Sequence, residues 1–226
     1  NPSWSFAKGW RVFVNYASAF KAPSLYQLYD ASVGRPDLKA ERSTTLEGGM
    51  QWTSANKAWT ARAVGFSRDP REGIDFSSID YLYFNNNRQQ DHGMELEAAY
   101  RIDRWSFSAN YSHVTGNVNT LKYKTDPNTY ETTADGDTTY NNLFRRPKNN
   151  LVFTAGYRPT KSWHVGLTAR FTGARFEPVY GGTPVPMKAY QLVDLFTSRE
   201  FGKHLRVFFD LRNILNTTYE DVKGFN

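Results

Sequence analysis

The chain has 226 residues, no cysteine, an apolar fraction of 39%, an aromatic fraction of 16% and a formal net charge of +6. Its longest apolar run, Tyr81 to Phe84, falls far short of the roughly 18 to 20 residues a membrane-crossing helix needs, so a helical membrane protein is excluded. The lack of cysteine removes disulfide scaffolds, thiolate metal centres and thiol nucleophiles, and the aromatic content argues against disorder. The basic balance suits an anionic partner, either nucleic acid or a phosphate-rich membrane surface.

The chain opens on Asn1 rather than Met, without a charged segment leading into an apolar one, and closes on Lys223-Gly224-Phe225-Asn226. The expectation is a piece of a longer protein. In chain order, Ser3–Phe6 reads as the tail of one strand. Trp10–Ala19, Thr44–Thr53 and Ala58–Arg68 follow as strands of weaker pattern. Within the last of these, Arg62 shares parity with Val64 and Phe66, as a bulge would produce, and no outward face is assigned. The clearest segments then alternate strictly. One parity carries Met94, Leu96, Ala98 and Tyr100; Trp105, Phe107, Ala109 and Tyr111; Leu151, Phe153, Ala155 and Tyr157; Trp163, Val165, Leu167, Ala169 and Phe171; Leu205, Val207, Phe209 and Leu211. The other parity is mostly polar, with Glu95, Glu97, Ser106, Asn110, Thr154, His164, Arg170, Arg206 and Asp210. A period of two with one apolar face is the mark of a β-strand. Tyr190–Glu200 is a further strand of weaker pattern.

The connections alternate as well. Ala7–Gly9, Ser54–Lys57, Arg101–Arg104, Arg158–Ser162 and Gly202–His204 are short, whereas Lys21–Ser43, Asp69–Asp80, Thr115–Asn149 and Gly173–Ala189 are mostly long and polar. Tight turns at one end and long loops at the other describe an outer-membrane barrel, with its periplasmic turns and extracellular loops. Trp10, Trp59, Trp105 and Trp163 each open a strand just after a short turn, where a barrel sets its interfacial aromatic girdle. A soluble barrel or sandwich would have to bury tryptophan at the same place on each of these strands. The fold expected is therefore all-β: an antiparallel meander of about nine strands, open at both edges. A meander of that parity cannot close antiparallel, and open edges are not viable in a bilayer, so residues 1–226 read as part of a larger transmembrane β-barrel.

Three segments resemble the TonB-dependent outer-membrane receptors. Tyr16 to Tyr29 (YASAFKAPSLYQLY), with Arg35 to Ser43 and Glu47-Gly48-Gly49, is similar to that family's strand–loop–strand signature, with Arg35 and Ala40 where the family usually has Asn and Pro. His92 to Glu97 resembles its GxExE strand, and Asn213 to Tyr219 resembles the NLFNxxY segment before its last strand. The resemblance implies the C-terminal part of a 22-stranded barrel, lacking its plug domain and last strand, in the Gram-negative outer membrane. It further implies active transport of a scarce nutrient, coupling to the TonB complex through the plug, a monomer when full length, and no enzymatic activity.

Within the family, Leu143 to Lys148, Gly173 to Phe176 leading to Tyr180, and Tyr219 to Phe225 resemble the members that take up vitamin B12 (cobalamin). The resemblance places cargo-facing positions at Arg145, Tyr180 and Phe225, the last a ring without the hydroxyl of the tyrosine those receptors carry. A corrinoid is large and flat with amide arms and a phosphodiester, so aromatic faces and an arginine are suitable anchors. The alternative cargo is a ferric siderophore or haem; a passive porin or a barrel enzyme fits less well.

Other constellations carry less. Arg146 is expected to pair with an acid of the plug or of a neighbouring strand. Asp126, Glu131, Asp135 and Asp137 lack EF-hand spacing and read as a solvated loop, so no metal ligand is assigned. His92, His113, His164 and His204 form no metal or general-base motif, and Glu95 and Glu97 read as wall partners for arginine. No cofactor is implied. Aromatics and charges occupy opposite faces, which disfavours nucleic acid and turns the basic balance toward outer-membrane lipid and lipopolysaccharide.

Overall fold

A computed structural model describes residues 2–77, 80–179 and 183–224. Its strands in chain order are β1 (Ser3–Ala7), β2 (Trp10–Lys21), β3 (Glu41–Thr53), β4 (Trp59–Phe76), β5 (Tyr83–Ile102), β6 (Trp105–Thr125) and β7 (Thr132–Tyr140). There follow β8 (Asn149–Thr160), β9 (Trp163–Thr172), β10 (Arg175–Glu177), β11 (Val185–Met187), β12 (Tyr190–Phe201) and β13 (Leu205–Leu211). One helical turn, α1 (Leu25–Tyr29), interrupts the β2–β3 connection. Among the described residues no helix is long and apolar enough to cross a membrane.

The wall runs β1-β2-β3-β4-β5-β6-β8-β9-β12-β13, antiparallel throughout, and β7 pairs with the outer part of β6. The strands expected after the Ser3–Phe6 lead-in are thus β2 to β6, β8, β9, β12 and β13, in meander order. Register sorts the two faces. Outward rows read Trp10–Trp52–Ala61–Ala98, then Val12–Met50–Ala63–Leu96, then Val14–Gly48–Gly65–Met94. Across the second half, Phe107–Ala155–Leu167–Leu195–Leu211 forms a similar row. These side chains are exposed or half-exposed because their solvent is hydrocarbon; each large one moved from water into lipid stabilises the inserted wall by about 1.5–3 kcal/mol.

The tryptophans form the girdle expected of them. Trp59 stacks on Tyr100 at 4.1 Å and Trp105 lies 4.3 Å from Tyr157, while Trp10 stands across from Trp52. The turns beneath are tight, and at Gly9 the reason is explicit: φ is +80°, and a Cβ there would lie 2.1 Å from the Thr53 carbonyl oxygen.

Two expectations fail. The register of β4 against both neighbours is unbroken through Arg62, Val64 and Phe66, so there is no bulge, and all three face inward. The inner wall tolerates rings because guanidiniums cover them: Arg62 lies over Phe13 at 5.5 Å and Arg68 over Phe66 at 4.7 Å. The long loops are also shorter than expected. Most of Asp69–Asp80 belongs to the β4–β5 hairpin, and most of Thr115–Asn149 to the β6–β7 hairpin. Asp135 of the presumed solvated loop pairs with Lys122 across that hairpin, and Asp126 accepts from the Asn128 and Thr129 N–H groups to shape its turn.

The β2–β3 connection is built locally and then fastened. Ser24 caps α1, accepting from the Gln27 N–H while its own N–H donates to the Gln27 side chain, a reciprocal capping box. The Asn85 side chain accepts from the Lys39 N–H and donates to the carbonyls of Lys39 and Glu72, tying this connection to the β4–β5 hairpin. Burial is concentrated above the lipid band, at Leu38, Phe84, Val118, Leu143 and Met187.

Candidate functional site

The three segments singled out beyond the strand pattern converge at the extracellular mouth. Phe144 bridges to Phe176, and the Arg145 N–H donates to the Phe176 carbonyl at 2.8 Å. The Arg145 guanidinium grips Glu177, with Nε 2.7 Å and an Nη 2.5 Å from the same carboxylate oxygen. Arg145 has φ of +56°, uncommon for a residue with a side chain, and the bonds to Phe176 and Glu177 hold it there. Arg175 reaches the third segment, donating to the carbonyls of Glu220 and Asp221, and its guanidinium lies 5.5 Å from the Tyr190 ring. The Tyr190 hydroxyl donates to Asp221, and Tyr190 stacks on Tyr219 at 4.6 Å. Tyr180 and Phe225 lie outside the described residues, though the stretches leading to both belong to this assembly.

Beside it opens a cavity of about 340 Å³, within the range of ligand pockets. Its walls include Phe84, Tyr123, Tyr140, Phe144, Pro178 and Val179, with Asp75 and Lys122 among the polar groups. Tyr140 and Phe144 are 5.4 Å apart, and the Tyr123 hydroxyl donates to Ser77. The β4–β5 hairpin, the β6–β7 hairpin and the segment after β10 therefore each contribute aromatic or apolar surface to one space. Phe144 belongs to the cavity and adjoins Arg145, which joins the two halves of the site.

Below the mouth the inner wall is laced with charge. Asp91, 1% exposed, accepts two bonds from Arg68, at 2.7 and 3.1 Å, and one from Arg146 at 2.7 Å. Arg146 is thus a wall charge paired with a neighbouring strand's acid. Arg62 pairs with Glu97 at 2.7 Å, and Arg170 with Asp194. His164 faces the lumen against Phe196 at 5.7 Å. On the outer face the Tyr111 hydroxyl donates to Asn149 Oδ1 at 2.7 Å, and His113 Nδ1 lies 2.8 Å from the same oxygen.

Sequence reasoning missed Glu177 and Asp91 as the partners of Arg145 and Arg146, because those contacts span 32 and 55 residues. It also missed the cavity rings. A signal existed for Phe84, which ends the longest apolar run, but that run was informative only about helices.

The family model for the TonB dependent receptor-like β-barrel matches residues 3–214. Among solved structures, the ferric-catecholate import receptor Fiu from E. coli K12 is 20% identical, with a TM-score of 0.69 over 97% of this chain and 30% of that one. The copper transporter OprC is 17% identical, with a TM-score of 0.71 over 96% and 33%. The pyoverdine receptor FpvA from Pseudomonas aeruginosa PAO1 is 18% identical, with a TM-score of 0.70 over 99% and 32%. The chain thus spans about a third of the length of the structures it matches. With a family model matched over nearly its whole length and a meander whose outward face is made for lipid, the chain belongs to the TonB-dependent receptor β-barrels of the Gram-negative outer membrane.

Proposed function

We propose that the chain supplies wall and mouth to an importer of cobalamin or a related corrinoid, driven by the TonB complex through a plug domain elsewhere in the receptor. The observation that carries the reading is the convergence of the Arg145, Phe176 and Glu220 segments, the stretches of likeness to cobalamin receptors, on one mouth beside an aromatic cavity. Flat ring surfaces suit the apolar edges of a corrin, and a cavity of about 340 Å³ takes an edge of such a cargo rather than the whole. The remainder would rest on the plug. In this reading Arg145 offers N–H donors to a cargo oxygen while Glu177 holds its orientation, and Tyr180 and Phe225 add ring faces.

Uptake of labelled cyanocobalamin by cells carrying the full-length gene, beside uptake of a ferric siderophore, tests the cargo. Cobalamin-dependent accumulation is expected. Accumulation of the ferric siderophore alone transfers the reading to iron, the cargo class named for several of the structural neighbours. Arg145→Ala would strip the buried Glu177 of its partner as well as remove a donor. The cleaner variant is therefore Arg145→Lys, which keeps the charge and loses the planar fork. Roughly tenfold weaker cobalamin binding is expected, the scale of one charge-assisted hydrogen bond; unchanged affinity removes Arg145 from the cargo site.

A further inference from the structure

A second cavity, of about 190 Å³, lies where β6 parts from β8 above His113 and Asn149, and it shares none of its described lining with the aromatic one. The polar side chains around it are Thr115, Asn142, Arg146, Lys148 and Arg175: three cations, an amide and a hydroxyl, with no carboxylate among the described residues. Arg146 gives one Nη to Asp91, whereas Lys148 is exposed and has no ion pair among the described residues. Arg175 is enclosed, its side chain 3% exposed. Its Nη2 is taken up by the carbonyls of Glu220 and Asp221 and by the Asp221 carboxylate at 3.4 Å. Its Nη1 is buried without a partner, and so is Asn142 Nδ2. Among the described residues the one other buried side-chain atom left unpaired is Glu177 Oε2, and Glu177 does not line this cavity. Buried donors are seldom left unmet, so two beside one cavity require an acceptor inside it. Water could satisfy either donor but brings no charge to a lining with three cations and no acid. The space is also far larger than the roughly 15 Å³ that one water needs.

We propose that this cavity binds a small free tetrahedral oxyanion, phosphate or sulfate in class, which fastens the mouth together. Such an ion carries several acceptor oxygens on one centre, so it meets Arg175 Nη1 and Asn142 Nδ2 at once, and charge-assisted bonds of this kind are the strong ones. The exposed Arg146 and Lys148 balance its remaining charge and draw it in. The ion would join residues 142–148 to β10 and, through Arg175, to Glu220 and Asp221. The site stands apart from the Arg145–Glu177 pair and does not depend on which cargo the receptor carries.

The test follows amide hydrogen exchange in the full-length receptor in detergent, without cargo, as inorganic phosphate is titrated against sodium chloride at equal ionic strength. Phosphate is expected to slow exchange saturably in residues 142–148, 174–177 and 219–221, and chloride is not. Asn142→Asp keeps the shape and supplies the carboxylate that the lining lacks. It is expected to slow exchange in those segments without phosphate and to abolish the phosphate response. Lys148→Gln, an exposed change that breaks no ion pair among the described residues, is expected to need roughly tenfold more phosphate. It keeps the test decisive if Asn142→Asp does not fold. Equal protection by chloride overturns the proposal, as does a phosphate response unchanged in both variants or weakened equally by Lys203→Gln at the opposite rim. Displacement of phosphate by cyanocobalamin would make the cavity a subsite for the cargo's own phosphodiester and overturn the free-ion reading.

Discussion

The lower and upper halves of β5 are the same strand in two solvents. From Met94 to Tyr100 every second residue is apolar, and the intervening positions include Glu95 and Glu97. From Tyr83 to Gln90 the ladder to β4 continues, yet beyond Phe84 the sequence is a run of amides with one arginine. β7 repeats the lesson, pairing with β6 although Thr132–Tyr140 has almost no apolar residue. Alternation therefore reports lipid on one side and water on the other; it does not report the strand. Where water lies on both sides, the strand persists on backbone hydrogen bonds and on anchors such as Asn85.

That contrast can be broken deliberately. The largest effect is expected at Asp91, whose buried carboxylate accepts from Arg68 and Arg146 at the junction of the two halves. Asp91→Ala leaves two guanidiniums facing each other, and urea unfolding of the full-length receptor should show a loss of about 3–5 kcal/mol. Next, Leu96→Arg places a charge on the lipid face and should cost about 2–4 kcal/mol in bilayer-refolding measurements. Thr133→Arg, on an exposed position of β7, should fall within about 0.5 kcal/mol of wild type. Similar costs for these two would mean that the upper hairpins also meet lipid. The smallest effect belongs to the half-exposed Arg62–Glu97 pair. A double-mutant cycle should give a coupling of about 1 kcal/mol or less, and a larger value would show the inner wall drier than the exposure of these residues implies.

The same contrast explains what could be read from sequence. The girdle tryptophans, the meander order and the short turns were legible because lipid imposes a pattern at every second position. Arg62 misled because inward positions obey no such rule: water, ion pairs and guanidinium-covered rings all satisfy them, and Val64 and Phe66 needed no bulge to face inward. At the mouth, family likeness pointed to Arg145, while Glu177 and the rings of Phe84, Tyr123 and Tyr140 escaped notice. Tyr123 and Tyr140 lie in polar surroundings in the chain, and all of these residues meet only through the folding-over of separate hairpins.

β6 changes partners without a break. It pairs with β8 from Trp105 to His113 and with β7 from Val118 upward, and the Val114 N–H bonded to the Lys148 carbonyl keeps its edge occupied between the two. The strand is consequently a stiff post running from the girdle to the cavity wall at Thr120 and Leu121. Below Asn119 the strand is held by β5 on one side and by β8 or β7 on the other, so deflecting the wall would mean tilting its whole ladder, and beside it the Arg145–Glu177 pair ties the segment after β7 to β10.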